Sequence, residues 1–462
     1  MILSSVRLRR SEESGFGIVE VIVAMMVFAL IATGISYTLL ASMNLTKDST
    51  AREQAANLAT QEIDLSRSID NLFNLQSKVT TTVINGVTYT ISRTAKWVSD
   101  PGVDQRCGIG GGVLRYKRVN VSVTWSGMTS LSKPITSDTL IDPGVRINDP
   151  ALGTVLISVT DSGGNPVVGA TVQVVPGSPA NGAVALDAQP EVTDSEGCTY
   201  ALKVQPGNYN VTVSKSGYVD VNQNETPSTI VSVEASAASA AMMTLDQGAT
   251  FPIDYLNNYT GGPVDVPAGL DVSFLSTYGT SLATNAPANV VRFPFPAGYT
   301  ILAGVYNDPA TPATICKAVD PGEWVAGTTD SVNYDNGVRP PPVAAVPGAT
   351  ADISHLGMGV VGVPIPSRSG GTYWWVKAVS ESVGPTDSGN PGCDISMTYK
   401  FGSYKEGVST PDLTLPYGSW KFYSTNSSGG NAQLIPASSM HFHTNAHVSG
   451  DVVTFDPRPV VP

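Results

Sequence analysis

Residues 16–40, FGIVEVIVAMMVFALIATGISYTLL, constrain this chain more than any other stretch, because an apolar run of that length spans a bilayer as a single helix. The residues before it, MILSSVRLRRSEESG, carry Arg7, Arg9 and Arg10. Basic residues ahead of a span hold that side in the cytoplasm and send the rest of the chain outside. A secretory signal would end its apolar stretch at a small-residue cleavage site. Here the stretch instead continues into a polar helical pattern, so the span is expected to stay attached. Glu20 interrupts the run. A carboxylate in hydrocarbon is costly and marks a function that involves a specific partner.

The stretch that follows, NLTKDSTAREQAANLATQEIDLSRSIDNLFNLQ, contains no Pro or Gly. Ala55, Leu58, Ala59, Ile63 and Leu65 recur at roughly helical spacing. The pattern predicts one helix from Phe16 to about Leu75, roughly 90 Å long at 1.5 Å per residue. The other reading is two helices with a break near Asn44. The N-terminal half belongs in a membrane and the C-terminal half on a sheet.

The hexapeptide GFGIVE resembles the processing motif of type IV prepilins, with Gly15, an aromatic Phe16 and Glu20 as fifth residue of the mature chain. The resemblance implies cleavage between Gly15 and Phe16 by a prepilin peptidase on the cytoplasmic side, then N-methylation of Phe16. It also implies that the Glu20 carboxylate aligns an incoming subunit by pairing with a neighbour's terminal amine. A buried charge does require such a partner. Glu12 and Glu13 depart from the usual basic leader.

Residues 78–99, KVTTTVINGVTYTISRTAKWVS, alternate in polarity around an Asn85-Gly86 hairpin signal. Residues 113–125, VLRYKRVNVSVTW, alternate as well. Together they predict a small antiparallel sheet over the helix, similar to that of minor pilins. After Asp142-Pro143-Gly144 the chain resembles the carboxypeptidase regulatory-like domain, a transthyretin-like sandwich. The matching pieces are Asp161 to Ala170, Thr193 to Gly197, Pro206 to Val213 and Gly217-Tyr218. The resemblance implies a spacer or binding module without catalytic residues. Two echoes of its strand, FPAGYTILAG (295–304) and LPYGSWKFYS (415–424), predict further sandwich units.

The expected class is therefore α+β: a long pilin helix on a small antiparallel sheet, followed by mainly-β, transthyretin- or immunoglobulin-like modules. The expected divisions are a leader at 1–15, the helix at 16–76 and the sheet at 77–143. A sandwich at 144–246 and a β-rich region at 247–462, of two sandwich units, complete the chain.

A net charge of −12 argues against nucleic acid as a partner, since phosphate binding needs clustered cations. Low charge content, 14%, with 45 Gly and 33 Pro, fits a secreted β-rich protein. Four cysteines without a CxxC pair suit disulfides outside the cytoplasm, in any of three connectivities. Cys316–Cys393 is the preferred pair because both lie in the C-terminal half. His441, His443 and His447 include an H-x-H pair that can ligate zinc on a strand, but no acid or cysteine is close in sequence, so no metal is assigned. Asp161 and Asp194 sit among glycines as calcium ligands do, yet β-turns use the same residues. Trp374, Trp375 and Trp420 are either a glycan-binding surface or, preferably, core. No catalytic motif is found, and neither an enzyme nor a cofactor is expected.

The remaining readings are a minor type IV pilin, placed at the filament tip by its long tail and active in surface adhesion, and a pseudopilin of a type II secretion system. Expected partners are the prepilin peptidase, other pilin subunits, the assembly platform, the membrane and a surface or glycan ligand. The expected location is the cytoplasmic membrane as a single-pass precursor, then an extracellular pilus.

Overall fold

A computed structural model describes residues 17–69, 71–99, 104–105, 107, 114–128, 132–142, 149–255, 259–308, 314–367, 373–407, 410–427 and 429–462. The chain separates into two compact units, divided near residue 148.

The first unit opens with helix α1, Ile18–Arg67, without a break at Asn44. At 1.5 Å per residue its 50 residues extend about 75 Å. Polar side chains inside its apolar half are satisfied locally: the hydroxyls of Thr33, Ser36 and Thr38 donate to the carbonyls of Ala29, Ala32 and Ile35. The helix stops eight residues short of the expected Leu75. Ser68 caps it, its N–H reaching the carbonyls of Asp64 and Leu65. Asn71 then accepts from the N–H of Phe73 and opens a 3-10 turn, Leu72–Asn74. Short polar side chains of this kind compete with helical bonds. The turn swings Leu72, Phe73 and Leu75 into the core, which a straight helix could not do.

Five antiparallel strands follow: β1 (Lys78–Ile84), β2 (Val87–Ser99), β3 (Asp104–Gln105), β4 (Leu114–Trp125) and β5 (Ile135–Ile141). They are ordered β1-β2-β4-β5, with β3 paired to β2. Asn85 and Gly86 both have positive φ, 50° and 78°, as a two-residue hairpin with matched twist requires. One face of the sheet buries Tyr89, Ile91, Ala95 and Trp97 from β2 and Val119, Val121, Val123 and Trp125 from β4. The helix meets the sheet with Ala51, Ala55, Ala59 and Ile63, one residue per turn. Alanine at three of these positions lets the helix backbone approach the sheet closely. Leu65, expected on this face, points to solvent. Arg93 bonds Glu62 at 2.7 Å, and the buried Lys117 donates to the Leu72 carbonyl over the Trp97 ring.

In the second unit, residues 153–247 form a sandwich of β6 (Gly153–Thr160), β7 (Thr171–Pro176), β8 (Cys198–Val204), β9 (Gly207–Ser214), β10 (Tyr218–Val219), β11 (Ser228–Val233), β12 (Ala238–Thr244) and β13 (Asp246–Gln247). The sheets β11-β9-β7 and β12-β6-β8 face each other, and β12 runs parallel to β6. Every second residue of β6 and β9 (Val155, Ile157, Val159; Tyr209, Val211, Val213) enters the shared core, the period-2 consequence of a pleated strand. The core closes at Leu245.

In the remainder, where two sandwich units were expected, two groups of sheets successive in sequence share one buried cluster that runs from Ala249 to Phe455. Ala249–Asp254 pairs with both Asn289–Arg292 and Ser354–His355, and Gly359–Gly362 pairs with Asp412–Leu415 and His441–Phe442. A larger sheet runs Thr398–Lys405, Tyr373–Ser380, Gly418–Thr425, Val452–Phe455, Ala446–Ser449. Each sheet lies wholly on one side of residue 357, and the bridges Asp265–Leu413 and Ala268–Lys400 and the Cys316–Cys393 disulfide join the two groups. The two strand echoes form Thr300–Ala303 and Gly418–Thr425, in different sheets around that core.

Candidate functional site

The first half of α1 has the least cover in the structure. Ile22, Met25, Phe28, Ile31, Ile35, Leu39 and Leu40 are all more than half exposed. Apolar side chains project on every side, so no single face is offered to a partner element. This segment is long and apolar enough to cross a membrane, with mean hydropathy 2.6 over its best window. Burial begins only at Ala51, after Asn44, Lys47 and Asp48. A helix apolar all round requires an apolar surrounding.

Glu20 lies in the first turn of this segment and is exposed. Gly17 caps the helix without a side-chain bond, so the first N–H groups carry the positive end of the helix dipole. A carboxylate there is locally favourable. Among the described residues no cation pairs with Glu20. Gly15 and Phe16, the expected cleavage and methylation residues, lie outside the described residues.

The other residues singled out by sequence divide clearly. Cys316 and Cys393 are joined by a disulfide of 2.03 Å, and none of the four cysteines is free. Trp374 and Trp420 are buried, and Trp375 is half-buried, so these three rings do not make an exposed glycan-binding surface. Asp161 and Asp194 each accept backbone N–H groups two and four residues ahead, closing turns. Asp220 does the same. Two of the histidines pair with acids, His443 with Asp412 at 2.9 Å and His447 with both Asp456 and Asp330. Among the described residues there is no group of three or more His, Cys, Asp or Glu placed to hold a metal.

The sequence reading missed a buried ionic cluster in the second unit. Arg458 and Asp456 are 1% and 0% exposed and pair at 2.6 Å. Arg458 also donates to the carbonyls of Val325 and Ser388, and its guanidinium lies 4.8 Å from the Tyr334 ring centroid. His447 spans Asp456 and Asp330 with its two ring nitrogens. The bond to Asp456 raises the His447 pKa, partial burial opposes this, and Asp330 adds to the rise. Burial alone would raise Asp456, but the hydrogen bonds from His447 and Arg458 hold it below the usual carboxylate range. The signal in sequence was an arginine inside the apolar C-terminal stretch, VVTFDPRPVV, which could be buried only with an acid beside it.

No family model matches the chain, and no curated protein matches it. Among solved structures it is similar to the Bacillus anthracis TIE protein, at 10% identity and a TM-score of 0.19, over 82% of this chain and 71% of that one. A streptococcal ancillary pilin is 11% identical with a TM-score of 0.19, over 60% and 78% of the two chains. The major pilin subunit of Bacillus cereus is 11% identical with a TM-score of 0.18, over 67% and 95%. Scores at this level do not separate one β-rich architecture from another.

Proposed function

We propose that this chain is a type IV pilin-like subunit, anchored and assembled through α1, that carries a β-rich tail to the outside of the cell. The observation that supports this most directly is the division of α1. Its second half is built into a small antiparallel sheet, whereas its first half is apolar on all sides and uncovered. That half must enter lipid before assembly and a bundle of like helices afterwards. Glu20 then has a role that folding does not give it: in either medium its carboxylate needs a cation, and a neighbour's terminal amine supplies one. The tail serves a structural or adhesive purpose and not catalysis, and its size suits a low-abundance subunit at a filament tip. The sandwich at 153–247 acts in this reading as the regulatory-like spacer that its turns resemble.

Mass spectrometry of the mature protein tests the anchor. The expected N-terminus is Phe16, methylated, after cleavage at Gly15. A mature chain that keeps Met1, or one cut beyond residue 40, refutes the reading. Glu20→Ala should leave membrane insertion unchanged and lower incorporation into filaments. Gold labelling of the tail should mark filament ends, and even labelling along the shaft would remove the tip assignment.

A further inference from the structure

The sheet of the first unit ends in β1 on one side and β5 on the other, each seven residues long. Among the described residues neither strand pairs on its outer side. The order β1-β2-β4-β5 is antiparallel throughout and even in number, so the two edges run in opposite directions. A second copy moved sideways therefore brings its β5 antiparallel to the first copy's β1. The hydrogen-bond phase matches too. Ile84 and Val87 flank the two-residue turn, and such a pair exchanges both backbone bonds. Bonding positions alternate along a strand, so the backbone groups of Val79, Thr81 and Val83 point outward. The Ser126 N–H donates to the Thr88 carbonyl, which fixes the phase of β2 against β4. Carried across β4, that phase leaves Thr136, Asp138 and Leu140 pointing outward from β5. All six residues are exposed, with side chains on the sheet face away from α1. Seven residues laid on seven then put Val79 opposite Leu140, Ile84 opposite Ile135, and Thr80 opposite Thr139. Apolar meets apolar on both faces, and hydroxyl meets hydroxyl, the pairs that stabilise a sheet. Val79 and Leu140 are 66% and 59% exposed, and the pairing covers both. Neither strand has a Pro or a bulge, two usual guards of an edge. Asp138, the one charge in β5, is held within its own sheet by Asn120 at 2.7 Å.

We propose that β1 is a docking edge for β5 of a second copy of this chain, the two sheets joining into one antiparallel sheet. Sideways pairing keeps both α1 helices pointing the same way, as two chains anchored in one membrane require. β1 against β1, the other antiparallel choice, needs a two-fold axis through the sheet and reverses one helix. The proposal rests on the anchored reading for that choice alone, and a single pair of copies is enough for it.

The test mixes full chains carrying Val79→Cys with full chains carrying Leu140→Cys in phosphatidylcholine liposomes, then oxidises them with copper phenanthroline. None of the four natural cysteines is free, so the new thiols report alone. Opposed residues of a bonded pair stand about 5.5 Å apart at Cα, within disulfide reach. A disulfide-linked dimer is expected from the mixture and not from either chain alone. Val83→Cys with Leu140→Cys sets the thiols four residues out of register, roughly 13 Å apart, and should give none. Thr81→Pro in the Val79→Cys chain removes an outward N–H and leaves the bonds to β2 in place. It should lower the dimer yield about tenfold, through the lost bond and the bulk of the ring at the seam. Flotation of the liposomes reads the anchor separately: chains that do not float remove the anchored reading, while the 79–140 dimer still decides the edge. No 79–140 dimer, an equal yield from Val79→Cys alone or from the 83–140 pair, or a yield unchanged by Thr81→Pro overturns the proposal.

Discussion

Arg458→Met tests whether the buried ionic cluster holds the C-terminal body together. Methionine keeps most of the aliphatic stem and removes the charge. The substitution deletes the 2.6 Å pair with Asp456 and the donors to the carbonyls of Val325 and Ser388. Asp456 is fully buried, so its carboxylate would keep only His447 at 3.0 Å and the backbone N–H of residue 458 as partners. Breaking a buried pair by removing one member costs about 3–5 kcal/mol. The surviving His447 bond places the expected loss near the lower end, about 3 kcal/mol, or roughly a hundredfold in the folding equilibrium. Urea unfolding of the full chain in mild detergent, followed by tryptophan fluorescence, measures it. Trp324 is a local reporter, with its ring centroid 5.4 Å from the guanidinium. Arg458→Met combined with Asp456→Leu removes the stranded charge and should recover at least about 1 kcal/mol of the loss, a coupling expected of residues in direct contact. A single-variant loss below about 0.5 kcal/mol, the scale of ordinary surface changes, would refute the argument.

The raised pKa of His447 stabilises the folded state in full below the unfolded histidine value of about 6.5, and that contribution disappears as pH rises through the folded value; His447→Gln should flatten the stability profile in that window, measured by urea midpoints. Ala55→Leu forces a larger side chain between α1 and its sheet and should cost about 1–3 kcal/mol, seen as earlier thermal unfolding of the first unit. Gly86→Val places a β-branched residue at φ 78° and should destabilise the β1–β2 hairpin by about 1–2 kcal/mol, read by hydrogen exchange of the strand amides. Replacing both Cys316 and Cys393 by Ala removes a link across a sequence separation of 77 and should lower stability by about 4.5 kcal/mol, on the entropic account of disulfides, in the same unfolding assay.

Local patterns were legible in the sequence wherever one residue type settles one geometry. Asn85-Gly86 set the hairpin, the alternation in β2, β4 and β9 set which residues face the core, and Ala55, Ala59 and Ile63 set the helix face. The misreadings had a common cause. The end of α1 depends on where Leu72 and Phe73 must go, which is a tertiary demand invisible to a run without Gly or Pro. The core shared after residue 247 depends on links such as the Asp265–Leu413 bridge and the Cys316–Cys393 disulfide, between segments far apart in sequence. The Arg458 cluster joins positions from 324 to 458, and no short window contains both an acid and all its partners. Of the proposed assembly site, Glu20 and its apolar setting could be read directly, because composition alone defines a segment that has no preferred face.

That last property separates two tasks within one helix. From Ala51 onward α1 is one-sided, with a buried residue at each turn, so its rotation about its own axis is fixed by the sheet it covers. Before Asn44 no side is distinguished by hydrophobicity, so packing alone does not choose which face meets which neighbour. A helix of that kind binds strongly to an apolar environment but without register. Register has to come from a group whose energy depends on position, and Glu20 is the only charged residue between Ile18 and Lys47. A charge that can be matched at just one height along a neighbouring helix converts uniform apolar affinity into a defined axial step, as single polar residues do in coiled coils. Glu20→Gln separates the two contributions. It keeps the shape and hydrogen-bonding capacity while removing the charge, so membrane retention should match that of the unaltered chain. On the proposed pilin-like reading, assembly should fail or proceed with irregular spacing, scored by cryo-electron microscopy of filaments. Regular filaments with unchanged rise and yield would assign the register to the globular units and leave Glu20 only its role at the helix start.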